Sequence, residues 1–293
     1  MPRPRGRLTG PSISFGGREF APPGVFIVGV LNVTPDSFSD GGRYLEPDAG
    51  VEHALRLAAE GADLIDIGGE STRPGAPEVS EEEELGRVIP VLERLAAARF
   101  PVPISVDTSK GGVARAALAL GASMVNDVRA LADPELARVV AQAGAAVVLM
   151  HMRGTPRDMR DRAVYGDVVS EVRSELSGAM ARAVRAGVRE DRIVLDPGIG
   201  FAKTAEQSIE LLARLPDLAV LGRPLLVGPS RKSFIGAITG APAEERLAGT
   251  LAAVTAAVLG GATFIRVHDV AAARQAARVA AALRASGGSA RRP

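Results

Sequence analysis

Cysteine does not occur anywhere in the 293 residues, so disulfides, thiolate-held metals and a cysteine nucleophile are excluded together. No run of about 18 apolar residues occurs either, which is the length a membrane-spanning helix requires. The first residues, MPRPRGRLTGPS, are basic and proline-rich but lack the apolar stretch of a secretory signal. A cytoplasmic protein with no membrane partner is therefore the expectation. Charge of one sign is also lacking: the formal net charge is +1, which provides no field for nucleic acid or an anionic surface. Lysine is scarce in an arginine-rich chain and stands only at Lys110, Lys203 and Lys232. A coding bias toward arginine accounts for that distribution, and so does a local need for a compact ammonium rather than a planar fork.

Several catalytic signatures are missing too. No G-x-G-x-x-G follows the first apolar run, and no G-x-x-x-x-G-K-[ST] occurs, so neither dinucleotide fingerprint nor P-loop is present. The absence of H-x-H and H-E-x-x-H argues against a hydrolase-type zinc site, and no Ser-His-Asp order stands out.

What is present is a globular composition, 46% apolar and 24% charged, able to bury a large core. Eight short apolar runs recur at 25–33, 62–69, 102–109, 123–128, 146–152, 192–198, 225–230 and 264–270. Segments with helical signals separate them, such as EHALRLAAEGA with its closing glycine and SEEEELGRVIPVLERLAAA with its serine cap and acidic first turn. Eight strand–helix repeats in a chain of this length predict an α/β fold, a single (β/α)8 barrel, in preference to a doubly wound open sheet. The expected layout is an N-terminal extension over 1–24, with LTGPSISFGGREFAPPG forming a hairpin under the barrel. The barrel itself spans 25–284, and a disordered tail follows over 285–293.

In such a barrel the strand C-termini converge on one mouth, and here each run ends in polar residues. The first ends in Asn32; the second leads to Thr72 and Arg73; the third ends in Asp107, Thr108, Ser109 and Lys110. The fourth carries Asn126 and Asp127, the fifth Met150 and His151, the sixth Asp196. The seventh runs into Ser230, Arg231 and Lys232, and the eighth holds Arg266 and His268. Singly, an Asp or Asn here caps a turn or helix, a lone histidine is a satisfied core group, and Met150 belongs to the core. Asp127 fits a structural role, while Asp66, inside a strand, fits either network support or ligand contact. Independent caps would not make every strand end polar and titratable.

By residue type the ends form two halves. Asp107, Asn126, Asp196 and Lys232 suit a flat heterocycle with an amidine-like edge, because a carboxylate accepts two parallel N–H bonds. Thr72, Arg73, Arg266 and His268 suit an anion, to which GESTRPG can also offer backbone amides. A hard cation shared with phosphate oxygens needs only one or two oxygen ligands, and Asn32 qualifies, pointing to Mg2+ rather than Zn2+.

The segments NVTPDSFSDGG, DIGGESTRPGA, SVDTSK, NDV, LMHM, DPGIGFAK, GPSRKSFIG and IRVHDV, in that order and spacing, closely resemble those of the bacterial dihydropteroate synthase family of pterin-binding TIM barrels. The resemblance covers roughly residues 25 to 270. It implies a transferase of folate biosynthesis that joins 6-hydroxymethyl-7,8-dihydropterin diphosphate to 4-aminobenzoate with loss of diphosphate. It also implies a homodimer through outer barrel helices, with Mg2+ on Asn32; a metal role for Asp36 or Asp40 is left open. Carried over by position, it assigns Asp107, Asn126, Asp196, Lys232, Met150 and Gly228 to the pterin. Asn32, Thr72, Arg73, Arg266 and His268 are assigned to the diphosphate, and Phe38, Pro74, Phe201, Lys232 and Ser233 to the aminobenzoate. The groups bearing on the reaction itself are Lys232, Arg266, His268, Asp107 and Arg73, in a Mg2+-assisted, SN1-like substitution.

Phe38 lies in VTPDSFSDGG, a glycine-containing loop of small polar residues expected to act as a mobile lid with Phe38 as its apolar surface. Anchoring of the loop on the barrel top is the competing role for that residue. Ala202, where many members carry glycine, Pro229 before SRK, and the N-terminal extension depart from the family pattern. Two rival readings are a pterin-binding methyltransferase, which has no need of the Arg73, Arg266 and His268 half, and a non-catalytic paralogue, which would have lost motif residues.

Overall fold

A computed structural model describes residues 11–34, 47–73 and 75–289. Eight parallel strands form one sheet: β3 (Phe26–Asn32), β4 (Leu64–Gly68), β5 (Ile104–Asp107), β6 (Met124–Asp127), β7 (Ala146–Met150), β8 (Ile193–Asp196), β9 (Leu226–Val227) and β10 (Phe264–Val267). Neighbours pair from β8 back through β3 to β10 and β9. A parallel bridge between Leu195 and Leu225, with the Leu195 N–H donating to the Pro224 carbonyl at 3.0 Å, links β8 to β9 and closes the barrel.

Helices α1 (Pro47–Ala59), α2 (Glu81–Ala97), α3 (Gly111–Ala119), α4 (Pro134–Ala143), α5 (Val168–Arg185), α6 (Ala205–Ala213), α7 (Ser233–Thr239), α8 (Leu247–Leu259) and α9 (Val270–Ser289) return each strand to the next. Their starts follow from short polar side chains: Ser80 caps α2 through the Glu83 amide, Asp133 caps α4, and Thr204 with Gln207 forms a capping box on α6. The eight-stranded barrel is the architecture the repeats predict. The seventh strand is shorter than its apolar run, because Pro229 has no N–H to extend the ladder beyond Gly228. The last helix continues through Ala285 to Ser289, so the tail expected to be disordered from 285 is helical up to that point; residues 290–293 lie outside the described residues.

Below the barrel, β1 (Ile13–Phe15) and β2 (Arg18–Phe20) form an antiparallel hairpin. Gly16 and Gly17 make its two-residue turn with φ of 55° and 71°, the positive values a tight hairpin connection demands. Phe15 and Phe20 stack at 4.5 Å, and Phe20 meets Phe264 at 5.3 Å and Phe26 edge-on at 4.9 Å. Those residues stand at the first positions of β10 and β3, so the hairpin seals the end of the barrel opposite the strand C-termini.

Alternate strand residues point into the barrel, and the inner face changes character along its axis. Val28, Leu64, Met124, Val148, Val194 and Phe264 pack with the hairpin as one buried apolar cluster. Two residues further along these strands stand Asp66, Asn126, Met150, Asp196 and Arg266. The register then aligns Asn32 with Gly68, Gly68 with Asp107, and Asp107 with Asn126 across four strands, a level row at the mouth.

The fully buried Phe20 is therefore a stability residue remote from the mouth. Phe20→Ala is expected to lower the unfolding free energy by about 3–5 kcal/mol, read as a shift of the urea midpoint, while leaving ligand affinity at the mouth unchanged.

Candidate active site

Asp66 lies on the inner face of β4 and is 1% exposed. Its Oδ2 accepts from Arg266 Nε at 2.6 Å and from Asn126 Nδ2 at 2.9 Å. Arg266 Nη2 also donates to Asp107 Oδ2 at 2.7 Å. One guanidinium thus bridges two carboxylates on neighbouring strands, and an amide from a third joins them. Of the two roles open to Asp66 in the sequence, network support is the one seen. Arg266, grouped by residue type with the anion-binding half, reaches into the ring-binding half and couples them. Burial pushes the Asp107 carboxyl up, the Asp66 carboxylate adds to that shift, and Arg266 opposes it. Asp66 Oδ1, Asn126 Oδ1 and Ser105 Oγ are buried with no hydrogen-bond partner among the described residues, leaving acceptor capacity at the mouth.

Across the opening, Asp196 at the end of β8 accepts from the Gly198 amide at 2.7 Å. Burial raises its pKa to about 6, against the amide and the nearby Lys232 and Arg266 cations. Lys232 is lowered to about 7, by burial first and then by Arg266. Its ammonium lies 3.7 Å over the Phe201 ring, a cation–π contact that ties β9's loop to β8's. Gly228, just past β9, leaves the Arg266 side chain room, with Arg266 Cβ 3.7 Å from where a Cβ would stand. Met150 is buried beside Asp196 in register.

His268 follows β10. Its backbone N–H donates to Ser230 Oγ at 3.3 Å, and its Nδ1 lies 2.9 Å from the same oxygen. Taking the hydroxyl as the donor to Nδ1 places the imidazole proton on Nε2. Burial, then the Arg266 and Arg231 cations, lower its pKa to about 4. His268 thus offers a neutral N–H donor rather than a charge. Asn32 is half-buried at the end of β3, and Thr72, half-buried, and Arg73, exposed, lie on the loop after β4. The loop's Gly75 amide donates to the Pro156 carbonyl. Phe38, Asp36, Asp40 and Pro74 lie outside the described residues. Ser233 opens α7, and Ala202, the departure from glycine, holds φ of 47°.

Asp127 proves structural: it accepts from Ser109, from the Arg129 and Leu131 amides, and caps the turn after β6. Lys110 joins Glu70 at 2.6 Å and Glu84 at 2.5 Å, which fastens the loop carrying Thr72 and Arg73 to α2. His151 is buried and paired. Glu70, Glu84 and Glu175, which complete these networks, escaped the sequence reading: Glu70 stands in the loop after β4 and Glu84 and Glu175 in helices, and nothing in their spacing marks their distant partners. A group of three or more metal-ligating carboxylates and histidines is absent among the described residues, as is a helix long and apolar enough to cross a membrane.

A barrel whose mouth sets buried carboxylates and an amide opposite Lys232 and Arg266 belongs to the pterin-binding class of barrel enzymes. The sequence profile of the family described as pterin binding enzyme matches residues 28–268. A curated dihydropteroate synthase from Synechocystis sp. is 50% identical over 260 residues, covering 88% of this chain and 90% of that protein. One from Escherichia coli is 48% identical over 253 residues, with coverages of 86% and 89%. The structure of the Xanthomonas albilineans dihydropteroate synthase with 4-aminobenzoic acid superposes with a TM-score of 0.87 at 50% identity, covering 94% of this chain and 99% of that one. The chain belongs to the dihydropteroate synthase family, transferases of folate synthesis.

Because Lys232 is a cation that holds the Asp196 pKa down, its removal has a defined sign. The Asp196 carboxyl is expected to titrate near pH 6 in a 13C NMR titration and to move upward in Lys232→Met. A midpoint that stays put would show that the two groups do not interact.

Proposed function

We propose that the chain condenses 6-hydroxymethyl-7,8-dihydropterin diphosphate with 4-aminobenzoate to give 7,8-dihydropteroate and diphosphate. The observation that carries this reading is the buried Asp66–Arg266–Asp107 bridge with Asn126, facing Asp196 and Lys232 across one barrel mouth. Relatives solved with 4-aminobenzoic acid and with 7,8-dihydropteroate support the same substrates.

In this reading Asp196 accepts two N–H bonds from the pterin's amidine-like edge, while Asn126, Met150, Gly228 and Lys232 border the ring. Arg266, Arg73, Thr72 and the Nε2–H of His268 face the diphosphate. The arylamine is a weak neutral nucleophile, so the demanding event is departure of diphosphate. The bond from the exocyclic methylene to oxygen breaks, and its electron pair leaves with the diphosphate. The methylene cation delocalises into the pterin, where the developing positive charge favours the ionised form of Asp107 over the neutral one that burial promotes, and that carboxylate stabilises it by charge. The amine nitrogen then bonds to the methylene and loses its proton. Phe38, Pro74, Phe201, Lys232 and Ser233 border the aminobenzoate, with Phe38 covering the ring.

The oxygen donor of Asn32 suits Mg2+, a hard ion that keeps water and phosphate oxygens in its shell and so needs no cage of protein carboxylates. When bound, that ion would supply charge neutralisation on the diphosphate. Exposed Ile238, Leu247, Val279 and Leu283 on α7, α8 and α9 support a homodimer through the outer helices, and the cytoplasm is the proposed compartment.

An assay for diphosphate release is expected to lose its signal when either 4-aminobenzoate or Mg2+ is omitted; release indifferent to both overturns the assignment. In the same assay Arg266→Ala is expected to lower turnover at saturating substrate by about 100-fold or more, with circular dichroism confirming that the barrel persists. Phe38→Ala separates its two roles: lost aminobenzoate affinity at unchanged melting temperature supports contact with the substrate, and the reverse supports a loop anchor.

A further inference from the structure

Lys203 has no part in the proposed reaction, yet its ammonium is surrounded by four partners. Its ammonium lies 2.9 Å from His151 Nδ1, 2.9 Å from the Phe201 carbonyl, 3.1 Å from the Gly198 carbonyl and 3.4 Å from the His151 carbonyl. Lysine has no acceptor, so it donates to Nδ1. The imidazole proton then resides on Nε2, which donates to Glu175 Oε2 at 3.0 Å. Burial lowers the His151 pKa, in keeping with a neutral ring that accepts on one side and donates on the other.

Arg153 completes the outer end. Its Nε donates to Glu175 Oε1 at 3.0 Å, and its guanidinium covers the Tyr165 ring at 4.0 Å. The Tyr165 hydroxyl donates to the Ala202 carbonyl at 3.0 Å. The relay thus begins and ends on the same segment, residues 198–203, which it grips by three of its carbonyls. That segment needs a grip. Gly198, Gly200 and Ala202 all hold positive φ, of 66°, 80° and 47°, and for Ala202 this conformation costs about 1–2 kcal/mol. A Cβ on Gly198 would strike the His151 carbonyl, and one on Gly200 would lie 3.1 Å from Lys232 Cδ. Between Gly200 and Ala202 stands Phe201, whose ring supports the Lys232 ammonium at 3.7 Å.

We propose that Lys203, anchored through His151 and Glu175, is a positioning residue that sets Phe201 against Lys232 and thereby fixes the wall on which the aromatic amine substrate rests. The inference depends on the synthase reading, in which Phe201 borders the aminobenzoate. A compact ammonium suits a pocket of converging carbonyls that a planar guanidinium would overfill, and this explains why lysine persists here in an arginine-rich chain.

The test is a double-mutant cycle in steady-state kinetics on the full chain. Lys203→Met and Phe201→Ala are each expected to raise the KM for 4-aminobenzoate about tenfold, whereas pterin affinity measured by calorimetry changes less than about threefold. Combined, they are expected to exceed Phe201→Ala alone by no more than about threefold, because Lys203 acts through that ring. Should Lys203→Met fail to fold, Glu175→Gln at the half-exposed outer end serves instead, with a KM rise of about threefold that vanishes in the Phe201→Ala background. Additive penalties, or an unchanged KM in the single variant, overturn the inference while leaving the synthase reading intact. Wild-type protein that does not consume 4-aminobenzoate overturns both.

Discussion

A carboxylate inside an apolar barrel must be answered by charge or it will not ionise, and Asp66 is answered by Arg266 at 2.6 Å and Asn126 at 2.9 Å. Removing one partner from a buried pair of this kind costs about 3–5 kcal/mol. Arg266 therefore cannot be regarded as a free cation awaiting an anion. It comes to the mouth already held, with its second nitrogen on Asp107. Two carboxylates share one guanidinium, so when all three are ionised the bridge carries a net negative charge toward the ring-binding wall.

This arrangement is possible because the barrel divides its labour along its axis. The lower inner face and the Phe15–Phe20 hairpin form a sealed apolar plug and carry stability. One step higher, every inner residue named in the site is polar or borders a polar one. The apolar floor also keeps water from the underside of the network, which strengthens the ionic contacts above it and raises the cost of leaving any of them unpaired.

Much of the mouth was legible in the sequence, because β-strand periodicity and the convergence of strand ends in a barrel put Asp107, Asn126, Asp196, Lys232 and Arg266 at one opening. What was not legible depends on contacts between residues distant in sequence. Asp66 could be a ligand group or a strut until Arg266, 200 residues away, was seen on it. Glu84 lies in a helix whose other glutamates face solvent, and Glu175 is itself exposed, so nothing in their spacing marks them as partners of Lys110 and His151. The pairing of His268 with Ser230, on which its tautomer depends, is a detail of tertiary geometry. The chain length of strand β9 turned on a single missing amide at Pro229, where the apolar run alone predicted a longer strand.

The hairpin has a further consequence, for the order in which the molecule can assemble. Phe15 and Phe20 precede Phe264, the ring they close on, by more than 240 residues. The plug therefore needs both ends of the barrel sequence together, and the Asp66–Arg266 bridge likewise joins residues 200 apart. Contacts of such wide sequence separation slow folding through the loop entropy they must first overcome. The seal and the charged network thus carry the same high cost of loop closure, and the barrel's floor and its chemistry depend on the same distant ends being brought together.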